Sequence, residues 1–150
     1  MSTKLLAAAM FTLLAMACNK DKFTTEPQVE IISISPEVVV SGNIITIEAR
    51  YTDDEGDLDS VIVVYKWYNG NTVTRTDTLD YYSIGDIGIP AKTREADLFV
   101  KYEYNTFNTG MISLSGVSKD TTATFGLILL DKEKHRSNYD ESSPIRLKKP

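Results

Sequence analysis

What is scarce in this chain limits what it can do. It has one cysteine (Cys18), one histidine (His135) and one tryptophan (Trp67). A single cysteine excludes an internal disulfide, so stability must come from burial. One histidine and one cysteine leave only carboxylates to complete a zinc site, which excludes the usual tetrad. Basic residues are also few: 16 Lys and Arg face 21 Asp and Glu, for a net charge of -5. With no basic cluster, nucleic acid is not an expected partner, because its affinity rests largely on phosphate neutralisation. The same charge opposes lying flat on anionic lipid. No segment keeps a 3.6-residue apolar period for three turns, so amphipathic helices are not expected. No phosphate-binding glycine loop is present either.

The apolar run Leu5–Ala17, interrupted only by Thr12, has thirteen residues. That is short of the ~20 a membrane-spanning helix needs. Lys4 precedes it, the stretch Leu14-Ala15-Met16-Ala17, with small Ala15 and Ala17, ends it, and Asn19-Lys20-Asp21-Lys22 follow Cys18. A charged start, an apolar stretch and a small-residue cleavage site in that order predict a signal peptide over residues 1–17. Its removal with Lys4 leaves the mature chain one unit more negative. The arrangement resembles the lipobox of bacterial lipoproteins, with Ala15 and Leu14 in place of the favoured leucine three residues before the cysteine. That resemblance implies diacylglyceryl and amide-linked acyl chains on Cys18. Each buried methylene contributes ~0.8 kcal/mol, so two or three chains hold firmly where one does not. Residues 18–28 then form the lipidated cysteine and a polar tether, whose ten residues after Cys18 reach at most ~35 Å.

From Val29 the pattern is that of strands. Val29–Ser35 is β-branched and stops at Pro36. Ile45, Ile47, Ala49 and Tyr51 alternate with polar residues, as a half-buried strand requires. Val61, Val63, Tyr65 and Trp67 alternate next, and Asn69-Gly70-Asn71 marks a hairpin. Thr72–Leu79 returns, residues 80–91 read as an irregular connection, and Leu98–Tyr104 and Met111–Ser115 are further strands. Thr122–Leu130 is the most apolar strand, Asp131–Asn138 a charged hairpin loop, and Pro144–Leu147 the last strand. Turn spacing and the absence of helix predict one antiparallel β-sandwich of seven to eight strands over residues 29–150. The expected core is Ile45, Ile47, Val61, Val63, Trp67, Leu98, Val100, Phe125, Leu127 and Leu129.

With Trp67 on the third strand, the order resembles an immunoglobulin-like (Ig-like) sandwich. It lacks the inter-sheet cysteine pair, and Phe125 stands near the place of the corner tyrosine. The wider likeness is to Ig-like modules of bacterial surfaces, such as PKD and cadherin-like domains. A closer likeness is to Bacteroidota outer-membrane lipoproteins, over most of residues 29–148. These carry an acidic stretch like Asp53-Asp54-Glu55-Gly56-Asp57-Leu58 after the second strand. They also have a late strand ending in aspartate, then a charged turn and Ser-Asn, like Leu129–Asn138, although the usual turn glycine is absent here. The resemblance implies fold and location. Lys20-Asp21, just after the lipid cysteine, resembles a signal for export to the outer face.

Three groups could carry chemistry. Asp53, Asp54, Glu55, Asp57 and Asp59 place five carboxylates in seven residues. A hard cation such as calcium would relieve their repulsion, with Asp53, Glu55, Asp57, Asp59 and Asp131 as the candidate ligands. The alternative is a solvated loop in which Asp and Gly serve turn geometry, and this reading is favoured. EF-hand spacing fails, since Gly56 falls at the fourth position. His135 lies in the charged run Lys132–Arg136, which promises neither an orienting partner nor a pocket, so no catalytic residue is assigned. Tyr81 and Tyr82, adjacent in an expected loop, are candidate contacts for a protein or glycan ligand. The expectation is therefore a non-catalytic structural or binding module without cofactor, held to the outer membrane by acyl chains on Cys18. The alternative is a calcium-binding adhesion or glycan-binding module that uses loop 53–59.

Overall fold

The computed structural model describes residues 24–83, 89–107 and 111–150. The signal segment 1–17, Cys18, the tether up to residue 23, and Gly85 and Gly88 lie outside the described residues. Two sheets face each other. One contains β1 (Gln28–Ser35), β3 (Ile44–Thr52), β6 (Glu95–Tyr104) and β7 (Ser113–Leu114), in the order β1-β3-β6-β7. The other runs β2 (Val38–Val39), β10 (Ile145–Leu147), β8 (Thr121–Asp131), β4 (Leu58–Asn69) and β5 (Thr72–Ser83). A short β9 (Asp140–Glu141) adds to β8. β1, β3 and β6 take the places of immunoglobulin strands A, B and E, while β10, β8, β4 and β5 take those of G, F, C and C′. The chain is an all-β, Ig-like sandwich.

Among the described residues there are ten strands where seven or eight were expected, because β2, β7 and β9 are two-residue pieces. The sheets are also not wholly antiparallel. After Ser35–Pro36 the chain changes sheets, and β2 runs parallel to β10, while β7 runs parallel to the end of β6. The hairpin at Asn69–Thr72 is as expected, with Gly70 at φ +59°.

The core follows from alternation. Ile45, Ile47, Ala49 and Tyr51 from β3 meet Val61, Val63 and Tyr65 from β4 and Ala123, Phe125, Leu127 and Leu129 from β8. Strand β8 is buried on both faces because residues 137–142 cover its outer side. Ser137 and Ser142 hydroxyls accept from the Leu129 and Phe125 amides, and the Tyr139 ring lies over Gly126. Eight of the ten expected core residues are buried, whereas Trp67 and Val100 pack against the core from its border. Trp67 stands near the hairpin, 5.4 Å from the Tyr65 ring and beneath the Arg75 guanidinium at 5.1 Å. Tyr51, Tyr102 and Tyr104 are fully buried instead. Two of their hydroxyls donate to loop carbonyls, Tyr51 to Thr93 (3.0 Å) and Tyr104 to Lys148 (2.7 Å). A tyrosine so satisfied can be buried as readily as phenylalanine.

Candidate functional site

The acidic loop joins β3 to β4 and meets the turn after β8 at one end of the sandwich. Leu58 pairs with Asp131, and the Lys132 amide donates to the Asp57 carbonyl (3.1 Å). Gly56 turns the loop at φ +63°, where a Cβ would lie 2.6 Å from the Lys92 carbonyl carbon, so only glycine fits. Asp53 points inward and is fully buried, and its Oδ2 accepts from the Asp57 amide (2.9 Å). Burial pushes its carboxyl up from the ordinary range, helped by the charges of Asp57 and Asp131. Asp54 pairs with Arg94, and Asp59 with Lys134 (2.7 Å). Glu55 is exposed, and loss of hydration together with Glu133, Asp57 and Asp53 raises its pKa.

The candidate cation ligands are therefore spread over separate tasks. Asp53 braces the loop, Asp59 holds a lysine and Asp131 holds a histidine. Among the described residues no group of three or more His, Cys, Asp or Glu is placed to hold a metal ion. One detail favours a cation nonetheless: Asp53 Oδ1 and Asp57 Oδ1 are buried without a hydrogen-bond partner. Such atoms carry a desolvation cost that a bound ligand would offset. A cavity of about 300 Å³ lies against Asp57 and Asp59, with Tyr51 and Lys132 in its wall.

His135 corrects one expectation, because it does have an orienting partner. The buried Asp131 accepts from the His135 amide (2.8 Å), and its Oδ2 lies 2.8 Å from Nδ1 of the ring. This hydrogen bond, and then the charge of Asp131, raises the histidine pKa. The pair is two-thirds of a hydrolytic triad. Its third member is missing, since among the described residues no hydroxyl or thiol is hydrogen-bonded to the ring. The nearby Ser137 hydroxyl is committed to backbone, accepting from Leu129 and donating to the Asn138 carbonyl. Asp131 fixes the turn, as the spacing of four along the chain allows.

Tyr81 and Tyr82 lie on β5, not in a loop, because the strand extends to Ser83. Neighbours on a strand point to opposite faces. Tyr81 faces out, its hydroxyl accepting from Ser60 Oγ (2.8 Å). Tyr82 packs inward and lines a cleft between the two sheets. The tyrosines thus do not form one contact patch. The cleft has a volume of about 690 Å³, with Val61, Ile89, Leu98, Val100 and Ile112 among its walls; Asp97 and Lys101 border it from the outward face of β6, where Asp97 pairs with Arg50 (2.9 Å). Sequence reasoning missed the cleft, because its walls come from five separate segments. The only available sign was Tyr82 beside an apolar strand. Cys18 lies outside the described residues, and among those residues no helix is long and apolar enough to cross a membrane.

No family model matches the chain, and no curated protein matches it. Several solved structures are similar in part. The alkylpurine DNA glycosylase AlkC of Pseudomonas fluorescens, bound to DNA containing an abasic site analog, is 10% identical with a TM-score of 0.43. The match covers 83% of this chain and 31% of that one. Spo0M, a sporulation control protein of Bacillus subtilis, is 8% identical at TM-score 0.43, over 79% of this chain and 49% of its own. The CARDB domain of a Pyrococcus furiosus protein, solved with di-metal ions, is 12% identical at TM-score 0.29, over 82% and 92%. This chain spans less than half the length of the first two. None of the three lends it an activity.

Proposed function

We propose that this chain is a non-catalytic cell-envelope module, an Ig-like sandwich tethered by acyl chains on Cys18 to the bacterial outer membrane, that binds a protein or glycan ligand. The observation that carries the binding role is the open cleft between the sheets. Its size and apolar lining suit a ligand with an apolar face. The anchor rests on the order of basic residue, apolar run and small residues before Cys18.

Methyl-labelled protein titrated with envelope peptides and glycans tests the reading. Shifts at Ile89, Leu98, Val100 and Ile112 are expected, and turnover of a fraction, lost in His135→Ala, would contradict it. Fatty-acid labelling should disappear in Cys18→Ser. A calcium-binding adhesion or glycan-binding module using loop 53–59 is the second reading, favoured by the two unpartnered buried oxygens of Asp53 and Asp57.

A further inference from the structure

We propose that the outer edge of β5 is a self-association surface, on which a second copy of this chain adds as an antiparallel strand centred on Thr76. Among the described residues β5 pairs with β4 alone, which leaves its other edge a row of backbone donors and acceptors. Residues 72–78 are all exposed. The strand contains no Lys, Pro or Gly to blunt that edge. What it contains is a pattern that reads alike in both directions with the charges exchanged: Thr74-Arg75-Thr76-Asp77-Thr78.

Charge complementarity selects one arrangement. With the two-fold axis through Thr76, Arg75 of each copy faces Asp77 of the other, and the two Thr76 residues face each other. Centring on Arg75 or on Asp77 sets like charges opposite each other, and parallel in-register pairing opposes both kinds. Opposite charges and threonine pairs across strands stabilise pairing, whereas like charges oppose it. The same two charges therefore discourage foreign edges and admit one register of a second copy. Both side chains are placed for this. Arg75 is held over the Tyr65 and Trp67 rings at 5.4 and 5.1 Å, and its pair with Asp77 (3.2 Å) leaves both about half exposed. A guanidinium with five donors and a carboxylate with four lone-pair sites can each take a second partner.

The bulges of β5 set the strength. Register shifts between Trp67 and Tyr68 and between Val63 and Val64 leave Thr74 and Leu79 as extra residues. The regular edge is confined to Arg75–Thr78, so the contact is small and the dimer weak and fast-exchanging.

Sedimentation velocity on the chain from residue 18 onward with Cys18→Ser, which includes every described residue, provides the test. A monomer–dimer equilibrium is expected within roughly 10 µM to 1 mM. Arg75→Asp or Asp77→Arg alone should weaken it about tenfold, two like-charge contacts replacing two attractive ones. The double exchange R75D/D77R should restore it. Thr76→Cys should form an inter-chain disulfide while Lys119→Cys does not, and this arm leaves both charges in place should a charge variant fail to fold. A monomer throughout, a double variant no better than the singles, or equal cross-linking at both positions would overturn the proposal.

Discussion

Replacing Glu141 by Gln should remove most of the acid sensitivity that one carboxylate confers on the sandwich. Glu141 lies on β9 and holds residues 137–142 to the outer face of β8. Desolvation alone would raise its pKa. Hydrogen bonds from Lys66, Thr124, Tyr139 and Tyr68 outweigh that and lower it to about 2. The Tyr68 and Tyr139 hydroxyls donate at 3.0 and 2.9 Å. A group depressed on folding adds stability above its unfolded pKa, and this is lost as pH falls through the folded value, here from near 4.5 to about 2. A shift of this size corresponds to roughly 3 kcal/mol. A quarter of the side chain remains exposed, and solvent screening reduces the expectation to about 1–2 kcal/mol. Urea unfolding of both proteins between pH 2 and 7 measures it. At neutral pH Glu141→Gln should be weaker by that amount, and the two curves should converge at pH 2. Asp53 and Glu55, raised by their surroundings, act in the opposite sense, but they are common to both proteins and cancel in the difference. Acid limbs that stay parallel down to pH 2 would refute the reasoning.

Gly126→Ala should destabilise by about 1–3 kcal/mol, because its Cβ would enter the Tyr139 ring. Thermal melts should find the cost much smaller in a Tyr139→Ala background. Trp67→Ala should cost about 2 kcal/mol in chemical unfolding, below the ~3–5 of a fully buried aromatic, because the ring sits at the border of the core. Millimolar calcium should leave the melting temperature where magnesium leaves it, since the acidic side chains do not converge. A calcium-specific rise abolished in Asp57→Asn would establish the second reading, with ~2.7 kcal/mol expected at a hundredfold excess over Kd.

The all-β sandwich and most of its core were legible in the sequence, since alternation compares a residue only with its neighbours two positions away. Ile45, Ile47 and Ala49 are inward by that period alone, with Thr46 and Glu48 between them, and Asn69-Gly70 closes its hairpin by its own backbone preference. The order of basic residue, apolar run and small residues before Cys18 is likewise a pattern of neighbours. What depended on partners far along the chain was not legible. Tyr51 and Tyr104 are buried because carbonyls at Thr93 and Lys148 arrive to accept their hydroxyls. β5 continues through Tyr81 and Tyr82 because β4 is long enough to pair with them, and this sends the two rings to opposite faces. Five carboxylates in a row suggest one shared ligand when only spacing is known. Folding distributes them instead, because Arg94 and Lys134 come from other segments and claim Asp54 and Asp59, while Asp53 turns inward to the Asp57 amide. Local order is written in adjacent residues, whereas the cleft and the roles of the acids exist only once the two sheets have closed.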